Sequence, residues 1–193
     1  MKIFIADINE ISKNRLILDD YIKRLQDSDK KRYNTIKAKE RKLQFLVGRM
    51  LIYENLGYDF KINKDGKIIS KKSYLSLAHS QDKVVLALSK NKVGIDVEYI
   101  SKTRQTKDIA EFLGFKDCHD NLDFYKKFTA YEADYKSSLK TQNIIHNYFI
   151  LNDYLICVSH NEVNDVINLL DTIPFQSKKL GSSFQPLLNQ QKR

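Results

Sequence analysis

Apolar and polar positions along the first 160 residues fall into two rhythms, one with the period of a helix and one that alternates like a strand. Ile3, Phe4 and Ile5 precede Asp7 and predict an opening strand. Leu16, Ile17, Tyr21 and Leu25 recur at helical spacing, and a longer pattern runs through Leu43, Leu46, Val47, Met50 and Leu51, with Gly57 placed to cap its C-terminus. The texture then changes to short runs of strand type at 74–78, 84–89 and 93–99, separated by polar turns at 80–83 and 90–92. Their closeness predicts an antiparallel meander. A helix is expected at 109–115, and Phe124, Phe128, Tyr131, Tyr135 and Leu139 form a stripe along another. Runs at 148–151 and 154–158 flank Asn152 and Asp153, residue types that tolerate the left-handed backbone of a tight hairpin.

Strand, helices and strands therefore precede strand, helices and hairpin. This doubled order predicts an α+β fold of two similar α/β subdomains with antiparallel sheets, at residues 1–92 and 93–175, although no sequence repeat accompanies it. Residues 176–193 are polar and without a sustained period, which predicts a loose tail.

Composition adds limits. The 193-residue chain has 42% hydrophobic and 30% charged residues, too apolar for general disorder. The first ten residues carry Asp7 and Glu10 and do not read as a signal peptide, and no stretch approaches the roughly 18 apolar residues of a membrane helix. With Cys118 and Cys157 the only cysteines, a disulfide framework is not expected and a cytoplasmic location is. The net charge of +9 favours polyanions or acidic proteins, and basic residues crowd at Lys30, Lys31, Arg32, Lys37, Lys39, Arg41, Lys42 and Arg49. Composition alone divides that stretch between a solvated helix face and a phosphate or partner site.

The candidate chemistry is carboxylate chemistry. Gly94, Asp96 and Glu98 alternate with Val93, Ile95 and Val97, so two carboxylates project from one strand face. An isolated pair of this kind is more often the wet face of a half-buried strand, but a cation relieves its repulsion, and oxygen ligands favour magnesium, manganese or calcium over zinc. Glu132 and Lys136 lie four apart on one helix face, as an exposed ion pair would, or as a carboxylate that completes a metal site beside an ammonium that neutralises phosphate. His79 ends a strand, where a histidine is structural, exposed or a ligand contact. Gly66 and Lys67 read first as a turn. Neither usual nucleotide-binding loop nor a nucleophile elbow occurs.

Taken in order, Gly66-Lys67, Ser76-Leu77-Ala78-His79-Ser80, Gly94-Ile95-Asp96-Val97-Glu98 and the nine residues from Phe128 to Lys136 resemble the 4′-phosphopantetheinyl transferases of the surfactin-synthetase-activating type. The likeness spans about 160 residues and is weaker in the N-terminal half, where Asp29 to Arg32 and Gly48-Arg49 carry it. It implies transfer of phosphopantetheine from coenzyme A to a serine of an apo acyl or peptidyl carrier protein, giving 3′,5′-ADP, by a pseudo-twofold monomer with coenzyme A between its subdomains. By the same resemblance Asp96, Glu98 and Glu132 are the magnesium ligands, Glu132 the general base, and Lys136 the lysine at the pyrophosphate. Arg32, Lys67 and His79 are then coenzyme A contacts. Neither a membrane nor a specific nucleic acid is an expected partner. The family usually has lysine where Tyr131 stands and serine where Ala78 stands, which motivates the alternative of a noncatalytic coenzyme A or carrier-protein binder.

Overall fold

The computed structural model describes residues 1–63, 68–140, 143–162, 167–173, 176–179 and 185–187. The chain opens with β1 (Lys2–Asp7), α1 (Ile8–Ser12), α2 (Arg15–Arg24), α3 (Asp27–Thr35) and α4 (Lys39–Leu56). Strands β2 (Phe60–Ile62), β3 (Ile68–Ser70), β4 (Tyr74–Ser80), β5 (Lys83–Ser89) and β6 (Gly94–Tyr99) follow. After them come α5 (Thr106–Phe112), α6 (Asn121–Ser137), β7 (Ile145–Leu151), β8 (Tyr154–His160), β9 (Asn168–Ile173), β10 (Gln176–Lys179) and β11 (Gln185–Leu187).

Alternation along the strands explains how these elements stack. On β1, Phe4 and Ala6 face a core built with α1, α2 and α4, while Ile3 and Ile5 face the opposite way. Val84 and Leu86 of β5 join the first core, and Val85 and Ala87 join the second. A strand buried on both faces reads as a continuous apolar run, as 84–88 does. The second core is closed by Ile95 and Val97 of β6, with Val93 just before it, and by Tyr154, Ile156 and Val158 of β8. Behind that second sheet, Leu155 packs with Ala110 of α5 and with Phe124 and Tyr125 of α6. Helices thus cover the outer faces of two sheets packed against each other.

The doubled order extends to strand pairing. The first sheet runs β10-β9-β1-β5-β4 and the second β11-β7-β8-β6, so in each half the leading strand pairs with the second strand of the later hairpin. Asn152 at φ 52° makes the β7–β8 turn as expected, and Gly57 at φ 62° caps α4. Four expectations change. The three-strand meander is broken: β4 and β5 pair, but β6 leaves them for β8 in the other sheet, a partner whose apolar face completes the same core. Not every pair is antiparallel, because β9 returns from the C-terminal half to run parallel to β1. Two short strands, β10 and β11, lie within 176–193, each extending a sheet edge through backbone pairing that needs no apolar period. The helix expected at 109–115 ends at Phe112, where Leu113 caps it and Gly114 turns at φ 69°.

Two polar devices fix the halves together. Small residues Ser76, Ala78 and Ser80 line one face of β4, and β6 approaches closely enough that the Ile95 N–H donates to Ser76 Oγ at 3.0 Å and the Tyr99 N–H to Ser80 Oγ at 3.1 Å. Edge-strand amides otherwise without a ladder partner are satisfied this way. The Lys83 ammonium, largely buried, bridges Asp7 and Asp82 at 2.7 Å each, and the Tyr154 hydroxyl donates to Asp82. Among the described residues no helix is long and apolar enough to cross a membrane.

Candidate active site

Helix α6 places the residues that matter. Asp120 accepts the Asp123 N–H at 2.8 Å as its N-cap, and Tyr125, Thr129, Ala133 and Ser137 form its buried stripe at four-residue spacing. That stripe lies on β6 and β8. At Gly94 the helix comes so close that an added Cβ would stand 1.8 Å from the Ala133 carbonyl oxygen. Glu132 and Lys136, each one position before a buried residue of the stripe, flank the contact and border a chamber of about 440 Å³. Asp96, Glu98, Glu40, Ser80 and Phe128 also line it.

In this chamber the Lys136 ammonium lies 2.6 Å from Asp96 Oδ1. Asp96 Oδ2 is buried and has no hydrogen-bond partner. Burial raises the Asp96 carboxyl to about 6, against the opposing pull of Lys136 and with a further push from Glu132. Glu98 is raised to about 7, first by burial and then by Asp96, although Arg104 lies 3.7 Å away and the Ser80 hydroxyl donates to it at 3.3 Å. At both carboxyls burial outweighs the cation beside it.

The three expected ligands, Asp96, Glu98 and Glu132, share this chamber but do not close on a common point: among the described residues no group of three His, Cys, Asp or Glu stands in metal-holding geometry. Their chemistry nonetheless fits a hard divalent cation, since all donors are carboxylate oxygens and one buried oxygen of Asp96 is unpartnered.

A second chamber of about 560 Å³ adjoins the first and is lined by Arg32, Lys37, Arg41, Arg49, His79 and Lys136 among others. Arg41, Gln44, His79 and Lys136 border both. Gln44, buried on α4, donates to the Gln81 carbonyl at 2.9 Å and holds the β4–β5 turn just after His79, which lies near the end of β4. Arg41 Nη1 stands 3.3 Å from His79 Nε2. A guanidinium only donates, so Nε2 accepts and the imidazole proton sits on Nδ1. Burial, then Arg41, lowers the His79 pKa, which agrees with a neutral ring. Arg32 and Arg49 both lie over the Phe45 ring, with guanidinium carbons 5.6 Å and 4.7 Å from its centroid.

Arg32, His79, Asp96, Glu98, Glu132 and Lys136, singled out from sequence, all line these adjoining chambers. Lys67 lies outside the described residues, though Ile68 beside it borders the basic chamber. Arg49 has a structural partner: its Nε pairs with Asp29 Oδ1 at 2.8 Å, both side chains being buried. From sequence Arg41 stood out only as one of eight crowded basic residues, and Gln44, which nothing marks, was passed over. Ala78 packs in the core between the sheets, Tyr131 rests edge-on against Phe115, and neither is among the residues lining these two chambers. Compared with known proteins, the chain matches no family model and no curated protein.

Proposed function

We propose that the protein transfers 4′-phosphopantetheine from coenzyme A to a serine hydroxyl of an apo carrier protein, leaving 3′,5′-ADP. The observation that carries this reading is the pair of adjoining chambers, one lined by cations and one by carboxylates, with Lys136 on the border of both. Coenzyme A combines a 3′-phosphate with a pyrophosphate, and Arg32, Lys37 and Arg41 present guanidinium and ammonium donors suited to such groups. Neutral His79, held by Arg41, offers an oriented ring without adding charge.

In the reaction the serine oxygen bonds to the phosphorus that bears pantetheine, and the bond from that phosphorus to the bridging pyrophosphate oxygen breaks. Glu132 takes the serine proton, and Lys136 donates to the departing oxygen as charge grows on it. Asp96, Glu98 and Glu132 would hold a magnesium ion, which when bound supplies positive charge to the pyrophosphate. The net charge of +9 favours encounter with acidic carrier proteins of fatty-acid, polyketide or nonribosomal-peptide synthesis, and the protein acts as a monomer in the cytoplasm. A noncatalytic binder would draw its support from Tyr131 and Ala78, and neither is among the residues lining the chambers.

The test is to incubate the protein with apo carrier proteins, coenzyme A and magnesium and to weigh the carriers. A mass gain of one phosphopantetheine on a serine is expected, and Asp96→Ala should abolish it while circular dichroism stays native. No gain with any carrier, from a folded protein, would sink the proposal.

A further inference from the structure

Lys136 has two places to be. Its ammonium now lies 2.6 Å from Asp96 Oδ1, and its side chain borders the basic chamber as well as the carboxylate chamber. Asp96 is only 7% exposed at its side chain and its second oxygen has no partner, so Lys136 is the cation that offsets this buried charge. A lysine side chain has several rotatable bonds and relocates its ammonium by several ångströms without backbone movement. What keeps it on Asp96 is the company on the other side. Arg32, Lys37, Arg41 and Arg49 already line the basic chamber, and another ammonium there would meet repulsion. An anion in that chamber reverses the balance.

We infer that Lys136 is a resident cation occupying the place of a divalent ion on Asp96, and that a phosphate-bearing ligand in the basic chamber draws it off, so that ion and ligand bind as a coupled pair. The inference rests on the reading of the chambers as a coenzyme A and cation site. It accounts for three carboxylates that share a chamber without closing into a ligating set: while Lys136 holds one oxygen of Asp96, that carboxylate is half engaged. Reciprocity follows from linkage, since a cation that displaces Lys136 sends the ammonium toward the phosphate and tightens the ligand by the same factor.

Mn2+ binding, followed by loss of the free-ion paramagnetic resonance signal, tests this without turnover. Without coenzyme A, Lys136→Gln should bind Mn2+ about tenfold more tightly than wild type, whereas Lys13→Gln, which removes an exposed ammonium paired with Glu10 and lining neither chamber, should stay within about twofold. Saturating coenzyme A, corrected for its own Mn2+ binding, should tighten the wild type about tenfold and Lys136→Gln less than about threefold. Equal Mn2+ affinities of Lys136→Gln and wild type, or equal coenzyme A effects on both, would overturn the inference. Should Lys136→Gln not fold, Lys136→Met takes its place in both comparisons: tighter Mn2+ binding than wild type with a smaller coenzyme A effect supports the inference, and equality with wild type in either overturns it. Tighter Mn2+ binding by Lys136→Gln with no carrier modification by wild type would sink the transferase reading and keep this one. Carrier modification with equal Mn2+ affinities would do the reverse.

Discussion

Gly94→Ala separates packing from chemistry more sharply than any change to a charged residue. The added Cβ would stand 1.8 Å from the Ala133 carbonyl oxygen and 2.8 Å from both the Ala133 carbonyl carbon and the Ser137 nitrogen, all backbone atoms of α6. No side chain can turn aside, so the helix must retreat from β6 by more than about 1 Å, and overpacking of this kind costs about 3 kcal/mol, the upper end of the usual range. For a chain of this length the melting temperature should fall by about 6 to 12 °C. The same retreat carries Lys136 off Asp96 and Glu132 out of its chamber, and a misplacement of about 1 Å lowers a rate by about 100-fold. Gly48→Ala is the matched control. There the nearest contact, at 2.9 Å, is Leu77 Cδ2, the free end of a flexible side chain, and a mid-helix alanine gains about 1 kcal/mol over glycine. Its stability should stay within about 1 kcal/mol of wild type. Calorimetry and the carrier-mass assay on both variants decide the matter: equal melting temperatures for Gly94→Ala and Gly48→Ala would refute the account of how α6 is seated.

Asp29→Ala should lower stability by about 3 to 5 kcal/mol in urea unfolding, because it leaves Arg49 buried without its partner and removes the acceptor of the Tyr53 hydroxyl; Glu10→Ala, which loses only an exposed pair with Lys13, should change stability by less than about 1 kcal/mol. In chelator the protein should lose stability as pH rises. The folded Asp96 carboxyl is raised to about 6 from 3.8, so the folded state holds its proton more tightly, and the resulting stabilisation is complete below the unfolded value and gone above the folded one. The shift amounts to about 3 kcal/mol, which Asp96→Asn should not lose between about pH 4 and 7; parallel pH profiles for the two proteins would contradict the burial of this charge.

Where a segment's own residues decide its structure, the sequence was readable. The stripe on α6, the Asn152 turn and the two-faced apolar run of β5 each carry their cause locally. The partner of β6 does not: proximity in the chain favours β5, and only the apolar faces of two separate sheets, meeting in one core, send it to β8. Helix α3 has the sequence DSDKKRYNT with no apolar stripe, and it is seated by the buried Asp29–Arg49 pair, a contact between residues that both read as surface. The carboxylates on β6 and the pair on α6 were legible as candidates because alternation and four-residue spacing fix which way they point. Arg41 was hidden by its neighbours, since eight basic residues between 30 and 49 look alike until the fold shows which one reaches His79.

The placement of the site follows from β6 serving both of its faces at once. Val93, Ile95 and Val97 lock it into the core between the sheets, and in the same register Gly94, Asp96 and Glu98 meet α6. A slip of one residue would exchange the two sets and bury the carboxylates among apolar side chains, so the core that stabilises the fold also fixes the register of the site. Ser80 extends that constraint across the cleft: its hydroxyl accepts from the Tyr99 amide and donates to Glu98 while its neighbour His79 contacts Arg41. The distance between the carboxylates and the cationic chamber is therefore set by one strand junction. A substitution that loosens β4 from β6 should disturb both chambers together, even where it touches no charged residue.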